Sequence, residues 1–339
     1  MLGLRTMALD RPNSRSSSRG ALARLRAAAG GRPWLVAAFA LLLLALVNAL
    51  LQPTFLRFGV IVSNIGAFLP MTLVAVGQTY VILASDIDLS AGAIVSLVNV
   101  AVVTTIETMG GSGTAIAAGL AIGVLIGLAA GVLNGACVAL LRLQPIVTTF
   151  ATGIVFSGIA LWVLPEAGRQ VPPVVYQTYA GNVLGVPVML WILGAIAALA
   201  YAVSRTPFYV ALRATGGSMQ AAYQTGLPVA RTRLLAFTMS GLFAAASGLA
   251  LVGETASGDP LIGGALTLSS VTAVVLGGTS LAGCTGGVAG SVIGAFILGL
   301  IGNVIFFAQL PFEWQGLIQG LMILAALAGG VVVARSGRS

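Results

Sequence analysis

The sequence contains no histidine, and all 16 of its basic residues are arginine, set against only 8 acids. Without lysine it cannot form a standard phosphate-binding loop, whose GK[ST] lysine reaches the phosphates. Without histidine it has neither imidazole acid–base chemistry nor histidine metal sites. Its two cysteines, Cys137 and Cys284, make no disulfide framework and no metal-spaced pair. Both lie in apolar or glycine-rich surroundings and read as small packing residues. No metal or cofactor is implied. Charge is scarce as well: 7% of residues are charged, where a soluble domain carries about 25%. That excludes an ordinary soluble enzyme. An apolar share of 58% excludes a disordered chain, which needs the opposite balance.

What the chain does have is hydrophobic length. Its mean hydropathy is +1.05, and its 339 residues leave room for about ten spans of about 20 residues with short connections. Apolar runs fall at roughly 34–51, 61–84, 89–109, 114–141, 146–164, 187–203, 234–253, 268–282, 287–308 and 314–334. The eighth is short and glycine-flanked, as a half-helix would be. The expected fold is all-α and polytopic, with about ten transmembrane helices. The 45 glycines suit close helix–helix packing in a bilayer.

Arginine placement sets the orientation. Arg5, Arg11, Arg15, Arg19, Arg24, Arg26 and Arg32 precede Trp34, where the first apolar run opens. Nucleic-acid binding is one reading of such a tail; a cytoplasmic segment obeying the positive-inside rule is the better one. The basic stretch is too long for a signal peptide and is followed by no clear A-x-A site. With residues 1–33 inside, Arg142, Arg205, Arg213, Arg231, Arg233, Arg335 and Arg338 also fall inside, and only Arg57 and Arg169 fall outside. An even number of spans with both termini cytoplasmic follows. The domains are thus an arginine-rich tail over 1–33 and a membrane domain over 34–335, with an inner loop at about 204–233. The longest outer segment, about 165–186, carries Pro165, Pro172 and Pro173, which oppose a long regular helix.

Within the fourth run, Gly119, Gly123, Gly127, Gly131 and Gly135 recur every four residues and so share one helix face. Such a stripe admits a second backbone, either in the same chain or in another subunit. A shorter stripe, Gly286, Gly290 and Gly294, opens the ninth run.

Two polar interruptions break the apolar pattern. The first is Ser85-Asp86-Ile87-Asp88-Leu89-Ser90. An acid at the centre of a span costs about 2.5–3.5 kcal/mol on insertion scales. Either Asp88 or Ser90 caps the next helix at a membrane surface, or the chain breaks within the membrane and Asp86 and Asp88 line a cavity. The second interruption is Gly277-Gly278-Thr279-Ser280 and the residues after it. Paired interruptions in two halves of a chain can mark a structural repeat.

In the inner loop, Ser218 reads as the N-cap of a short helix, Gly226 suits the residue that ends it, and Pro228 blocks its continuation. Adjacent Ala221 and Ala222, beside Gln220, leave room for close approach. A helix of two turns does not stand alone in water, so its own protein or a docking partner must hold it.

These stretches together resemble the ribose-type permeases of ATP-binding cassette importers. Asp88-Leu89-Ser90-Ala91-Gly92, after Gly77-Gln78-Thr79-Tyr80, looks like that family's DLSxG region. Gly216–Gly226 (GGSMQAAYQTG) looks like its cytoplasmic coupling motif, and Val275–Gly283 (VLGGTSLAG) is similar to its VLGGTSLAGG signature. The order of the motifs matches, and the resemblance covers about 50–335. There are departures: Gln220 stands where an acid is frequent, Ser218 where asparagine is common, and Cys284 replaces the last glycine of the signature. Branched-chain amino-acid permeases share the wider fold but differ in the DLS region, which favours a sugar by analogy.

The resemblance implies a permease subunit in a bacterial inner membrane that passes a monosaccharide inward. It also implies a second permease subunit, an ATP-binding subunit, an extracytoplasmic solute-binding protein and contact with membrane lipid, with no nucleic acid. It places ATPase coupling at Ser218, Gln220, Ala221, Ala222 and Gly226. Two other classes stand beside it. An ion-coupled secondary transporter would use Asp86 and Asp88 as ion sites, and a membrane enzyme would need an acid–base cluster that this sequence does not offer.

Overall fold

A computed structural model describes residues 34–311 together with 313, 314, 316–318, 320 and 321. The arginine-rich tail, Arg335, Arg338 and most of the tenth expected span lie outside the described residues.

The first five helices follow the first five apolar runs: α1 (Trp34–Leu51), α2 (Phe58–Leu83), α3 (Ala91–Thr108), α4 (Gly113–Ala139) and α5 (Pro145–Val163). The outer segment then forms β1 (Arg169–Gln170), α6 (Pro173–Ala180), β2 (Asn182–Val183) and β3 (Val186–Pro187). After it come α7 (Val188–Ser204), α8 (Pro207–Gly217), α9 (Met219–Gln224), α10 (Val229–Thr255), β4 (Ser257–Gly258), α11 (Gly264–Leu276) and α12 (Val288–Phe307). Among the described residues seven helices are long and apolar enough to cross a membrane, or eight if α7 and α8, bent by 74°, form one span. The all-α polytopic expectation stands. The shortfall from ten has specific causes: the eighth run yields only a 13-residue helix, α11, and the tenth is largely undescribed.

Helix α3 is the centre of the bundle. It packs against α4, α5 and α10, and Val95, Val98, Val100, Val102 and Val103 sit in the main core. Helix α10 runs along both α4 and α2, while α12 carries α1 on one side and α11 on the other. Helices α1, α4 and α5 turn large apolar side chains outward, among them Phe39, Leu125 and Trp162. In water such faces would be costly; against lipid they are the expected surface.

The chain crosses back and forth, which gathers particular elements at each end of the bundle. One end holds the close of α2, the start of α3, the close of α4, the start of α5, α8, α9 and the start of α10. The other end holds a small antiparallel pair in which β1 meets β4, Arg169 opposite Gly258 and Gln170 opposite Ser257. Strands β2 and β3 form a tight hairpin there, turned at Leu184 and Gly185, both at positive φ.

Pro70 lies inside α2, where its ring denies the Gly66 carbonyl its helical donor. The Tyr179 hydroxyl of α6 supplies the missing bond, donating to the Gly66 carbonyl at 3.0 Å. Burial, with Glu254 nearby, pushes the pKa of Tyr179 up, so the hydroxyl keeps its proton and stays a donor. Ser247 of α10 in turn donates to the Pro70 carbonyl at 2.8 Å.

Candidate functional site

Between α2 and α3 the chain runs unwound through residues 84–90, and both acids of this stretch are withdrawn from solvent. Asp88 is 0% exposed. One of its oxygens accepts from the Ser90 N–H at 2.9 Å and the Ser90 hydroxyl at 2.6 Å; the other accepts from the Ser240 hydroxyl of α10 at 2.8 Å. The Gln78 amide brackets the Asp88 backbone, donating to its carbonyl and accepting from its N–H, each at 3.2 Å. Asp88 is therefore a buried acceptor that holds the turn leading into α3. The Ser90 side chain makes no cap bond of its own. Its hydroxyl accepts instead from Asn134 at 2.7 Å, and Asn134 accepts from Thr152 of α5 at 2.7 Å. The result is a chain of hydroxyl and amide groups joining α5, α4, the interruption and α10. Every group in it has a partner, which is how a polar thread is tolerated in a low-dielectric interior.

Asp86 is held differently. Arg233, near the start of α10, grips its carboxylate with Nε at 2.7 Å and Nη2 at 2.9 Å. The paired side chains are 4% and 11% exposed. The sequence shows Arg233 only as one more inner arginine, because 147 positions separate it from Asp86.

The second interruption follows α11. Gly277 crosses Gly290 of α12 so closely that a Cβ on either glycine would strike the other's carbonyl oxygen. Gly278 takes φ +87°. Thr279, buried, accepts the Gly287 N–H at 3.2 Å, and the Ser280 hydroxyl accepts the Ala282 N–H at 3.2 Å. Before α11 there is a further unwound stretch, residues 256–263, inside the gap that the apolar pattern leaves between the seventh and eighth runs. Asn99 of α3 donates to the Ser257 carbonyl and accepts the Asp259 N–H, and Ser96 accepts the Gly263 N–H at 2.9 Å. Asn99 and Ser96, polar positions one turn apart in an apolar helix, are what hold it.

The inner loop holds two helices, the first of which, α8, is bent by 74° from α7. Ser218 is the N-cap of α9 and accepts from the Ala221 N–H at 3.2 Å. Gly226, at φ +82°, ends the turn. Gln220 and Ala221 face outward, whereas Ala222 is buried against its own protein. Beside α9 lies a groove of about 1080 Å³, lined by Gln220, Tyr223, Arg142, Arg231 and Arg233 among others.

The three motif regions, far apart in sequence, meet at this end of the molecule. Ser85 of the first interruption lies 2.9 Å from the Gly216 carbonyl of α8 and 2.6 Å from the Ala282 carbonyl of the second interruption. The glycine stripe is used within the chain. Gly119 and Gly123 pack on Val102 and neighbouring residues of α3, while Gly127, Gly131 and Gly135 pack on the α10 backbone from Leu234 to Ala245.

Residues 60–327 match the family model described as "Branched-chain amino acid transport system / permease component", and the chain belongs to that family. It is 30% identical to the ribose import permease protein RbsC of Haemophilus influenzae, with 85% of this chain and 90% of that protein covered. It is 32% identical to RbsC of Bacillus subtilis, covering 85% and 89%. It is 34% identical to the autoinducer 2 import system permease protein LsrC of Klebsiella pneumoniae, covering 86% and 85%. No solved structure matches. The chain is thus a multi-pass membrane permease of the ATP-binding cassette importer kind, a transport subunit and not an enzyme.

Proposed function

We propose that this permease carries a monosaccharide into the cytoplasm, working with a second permease subunit, a separate ATP-binding subunit and an extracytoplasmic solute-binding protein. The observation that carries the reading is the convergence of the three motif regions at the bundle end where Arg142, Arg205, Arg213, Arg231 and Arg233 also gather. By the positive-inside rule this is the cytoplasmic end. The ten-span topology then follows from counting α7 with α8, α11 and the run at 314–334, with residues 1–33 as a cytoplasmic tail. Helix α9 is the contact for the ATP-binding subunit, through Ser218, Gln220, Ala221 and Gly226. Ala222 serves from beneath, seating α9 on its own protein. When the ATP-binding subunits close, they push α9, and the interruptions at 84–90 and 277–287 rearrange around the pathway. An ion-coupled cycle through Asp86 or Asp88 is disfavoured, because an arginine occupies the first and three hydrogen-bond donors occupy the second.

Ala221→Arg places a long cation on the exposed face of α9. In proteoliposomes holding the whole complex, this variant is expected to assemble its membrane part normally but lose ATP-driven uptake and retention of the ATP-binding subunit. Normal uptake and normal retention would overturn the contact. Uptake is measured with radiolabelled ribose and other pentoses and hexoses. The likeness to LsrC supports a second reading, in which autoinducer 2 is the solute, and it is tested in the same vesicles.

A further inference from the structure

Ser85 occupies a position that its role as a linker does not explain. It is one of few residues other than glycine at positive φ, at +65°, a conformation that costs energy for a side-chain-bearing residue. That backbone turn aims its hydroxyl between two carbonyls, Gly216 at the end of α8 and Ala282 in the second interruption. Two further bonds close the same junction. The Cys284 N–H donates to the Leu83 carbonyl at 3.2 Å, and Arg213 of α8 donates through Nε to the Cys284 carbonyl at 2.7 Å. Gly216 sits so tightly in this junction that a Cβ there would strike the Leu83 carbonyl oxygen and come within 2.8 Å of the Cys284 nitrogen. The carbonyls of Leu83, Gly216, Ala282 and Cys284 all belong to interrupted or terminating backbone, which has no helical donors to offer them. The four contacts of this junction move together, because separating the pieces would break all of them at once and would leave the carbonyls of Leu83 and Gly216, which are buried residues, without a donor.

We propose that Ser85 is the positioning residue of a rigid knot that fastens α8, and through it α9, to both membrane interruptions. A push on α9 then reaches the Asp86–Asp88 segment and the Gly277–Gly287 loop at the same moment. Without the knot α8 slides, and the ATP-binding subunits turn over without moving the pathway. This inference rests on the reading of α9 as the ATPase contact.

The protein carries a means of testing it. A Cβ built on Gly217 lies 3.8 Å from the Cys284 Cβ and 3.5 Å from its Sγ, and the usual Cβ–Cβ separation in a disulfide is about 3.8 Å. Gly217→Cys in a Cys137→Ala background therefore gives a reversible covalent tie across the same junction. The measurement is ATP hydrolysed per sugar imported by the reconstituted complex, before and after oxidation, together with the melting temperature of each variant. Ser85→Ala is expected to raise the ratio roughly three- to tenfold, the change that losing one net hydrogen bond makes in an equilibrium. Oxidising Ser85→Ala/Gly217→Cys should bring the ratio back, and reduction should raise it again; a residue that merely stabilised the fold would show no such rescue. Oxidation of Gly217→Cys with Ser85 intact should leave uptake running. Uptake that stops on oxidation and returns on reduction would overturn the knot, since the junction would then have to open in each cycle. This last arm decides the matter even if Ser85→Ala fails to fold. Ala221→Arg separates the two readings. If it abolishes uptake and retention of the ATP-binding subunit while Ser85→Ala keeps the wild-type ratio, the knot is overturned and the α9 contact stands. If it leaves uptake and retention normal while Ser85→Ala raises the ratio, the α9 contact falls and with it the route through α9, and what remains is a part in coupling for the Ser85 junction alone.

Discussion

Arg233 grips Asp86 with two donors, at 2.7 and 2.9 Å, deep enough that the carboxylate is 4% exposed. Removing one partner of such a pair leaves an uncompensated buried charge, which costs about 3–5 kcal/mol, whereas replacing both with apolar residues is frequently close to neutral. Arg233→Met is therefore expected to lower the melting temperature of the purified permease sharply. Asp86→Leu/Arg233→Met should recover most of the loss. A double variant no more stable than Arg233→Met alone would show that the pair is not what stabilises this end of the bundle.

Asp88 faces three donors and no cation. An asparagine oxygen can still accept from Ser90, and the Ser240 hydroxyl can rotate to accept from the new amide. Asp88→Asn should keep most ATP-dependent uptake, and that uptake should survive an ionophore. Asp88→Leu strands the Ser90 N–H just before α3 and the Ser240 hydroxyl, so it should abolish uptake. Loss of transport in Asp88→Asn at normal stability would mean that the negative charge itself is needed.

Gly127 marks the tightest crossing of α4 over α10. A Cβ there would meet the Ala245 methyl and come within 2.5 Å of the Gly241 carbonyl oxygen, whereas Gly158 of α5 has nothing within 4 Å. Overpacking typically costs about 1–3 kcal/mol, and here the obstacle is backbone, which cannot swing aside. Gly127→Leu should cut the yield of folded protein and lower its melting temperature, while Gly158→Ala should do neither. Equal melting temperatures for the two variants would show that α4 and α10 separate without penalty.

Helix positions were largely legible because each long helix is an apolar run, and apolar runs depend only on local composition. The short helix α9 was legible for a similar reason: Ser218 and Gly226 signal its two ends locally. Tertiary pairing was not legible. Nothing near Asp86 points to Arg233, and Ser85 gives no sign of the two distant carbonyls it faces. The gap before α11 was legible as a break between two apolar runs, but its attachment was not: what holds it is Asn99, more than 150 residues earlier. The fixing of Asp88 was not legible either, since its partner Ser240 lies 152 positions away. The inward turn of Ala222 was hidden too, because a six-residue helix is too short to establish a face.

The bond from Tyr179 to Gly66 also has a meaning in time. The two residues are 113 positions apart. At a synthesis rate of about 5–20 residues per second, the hydroxyl emerges roughly 6 to 23 seconds after the carbonyl it serves. Throughout that interval α2 exists with a proline-made gap and no tyrosine to fill it. Water or the insertion machinery must hold that carbonyl meanwhile. The second helix thus completes its own hydrogen bonding only after the outer segment has been made, so that segment acts as a late fastening on a span that entered the membrane long before it.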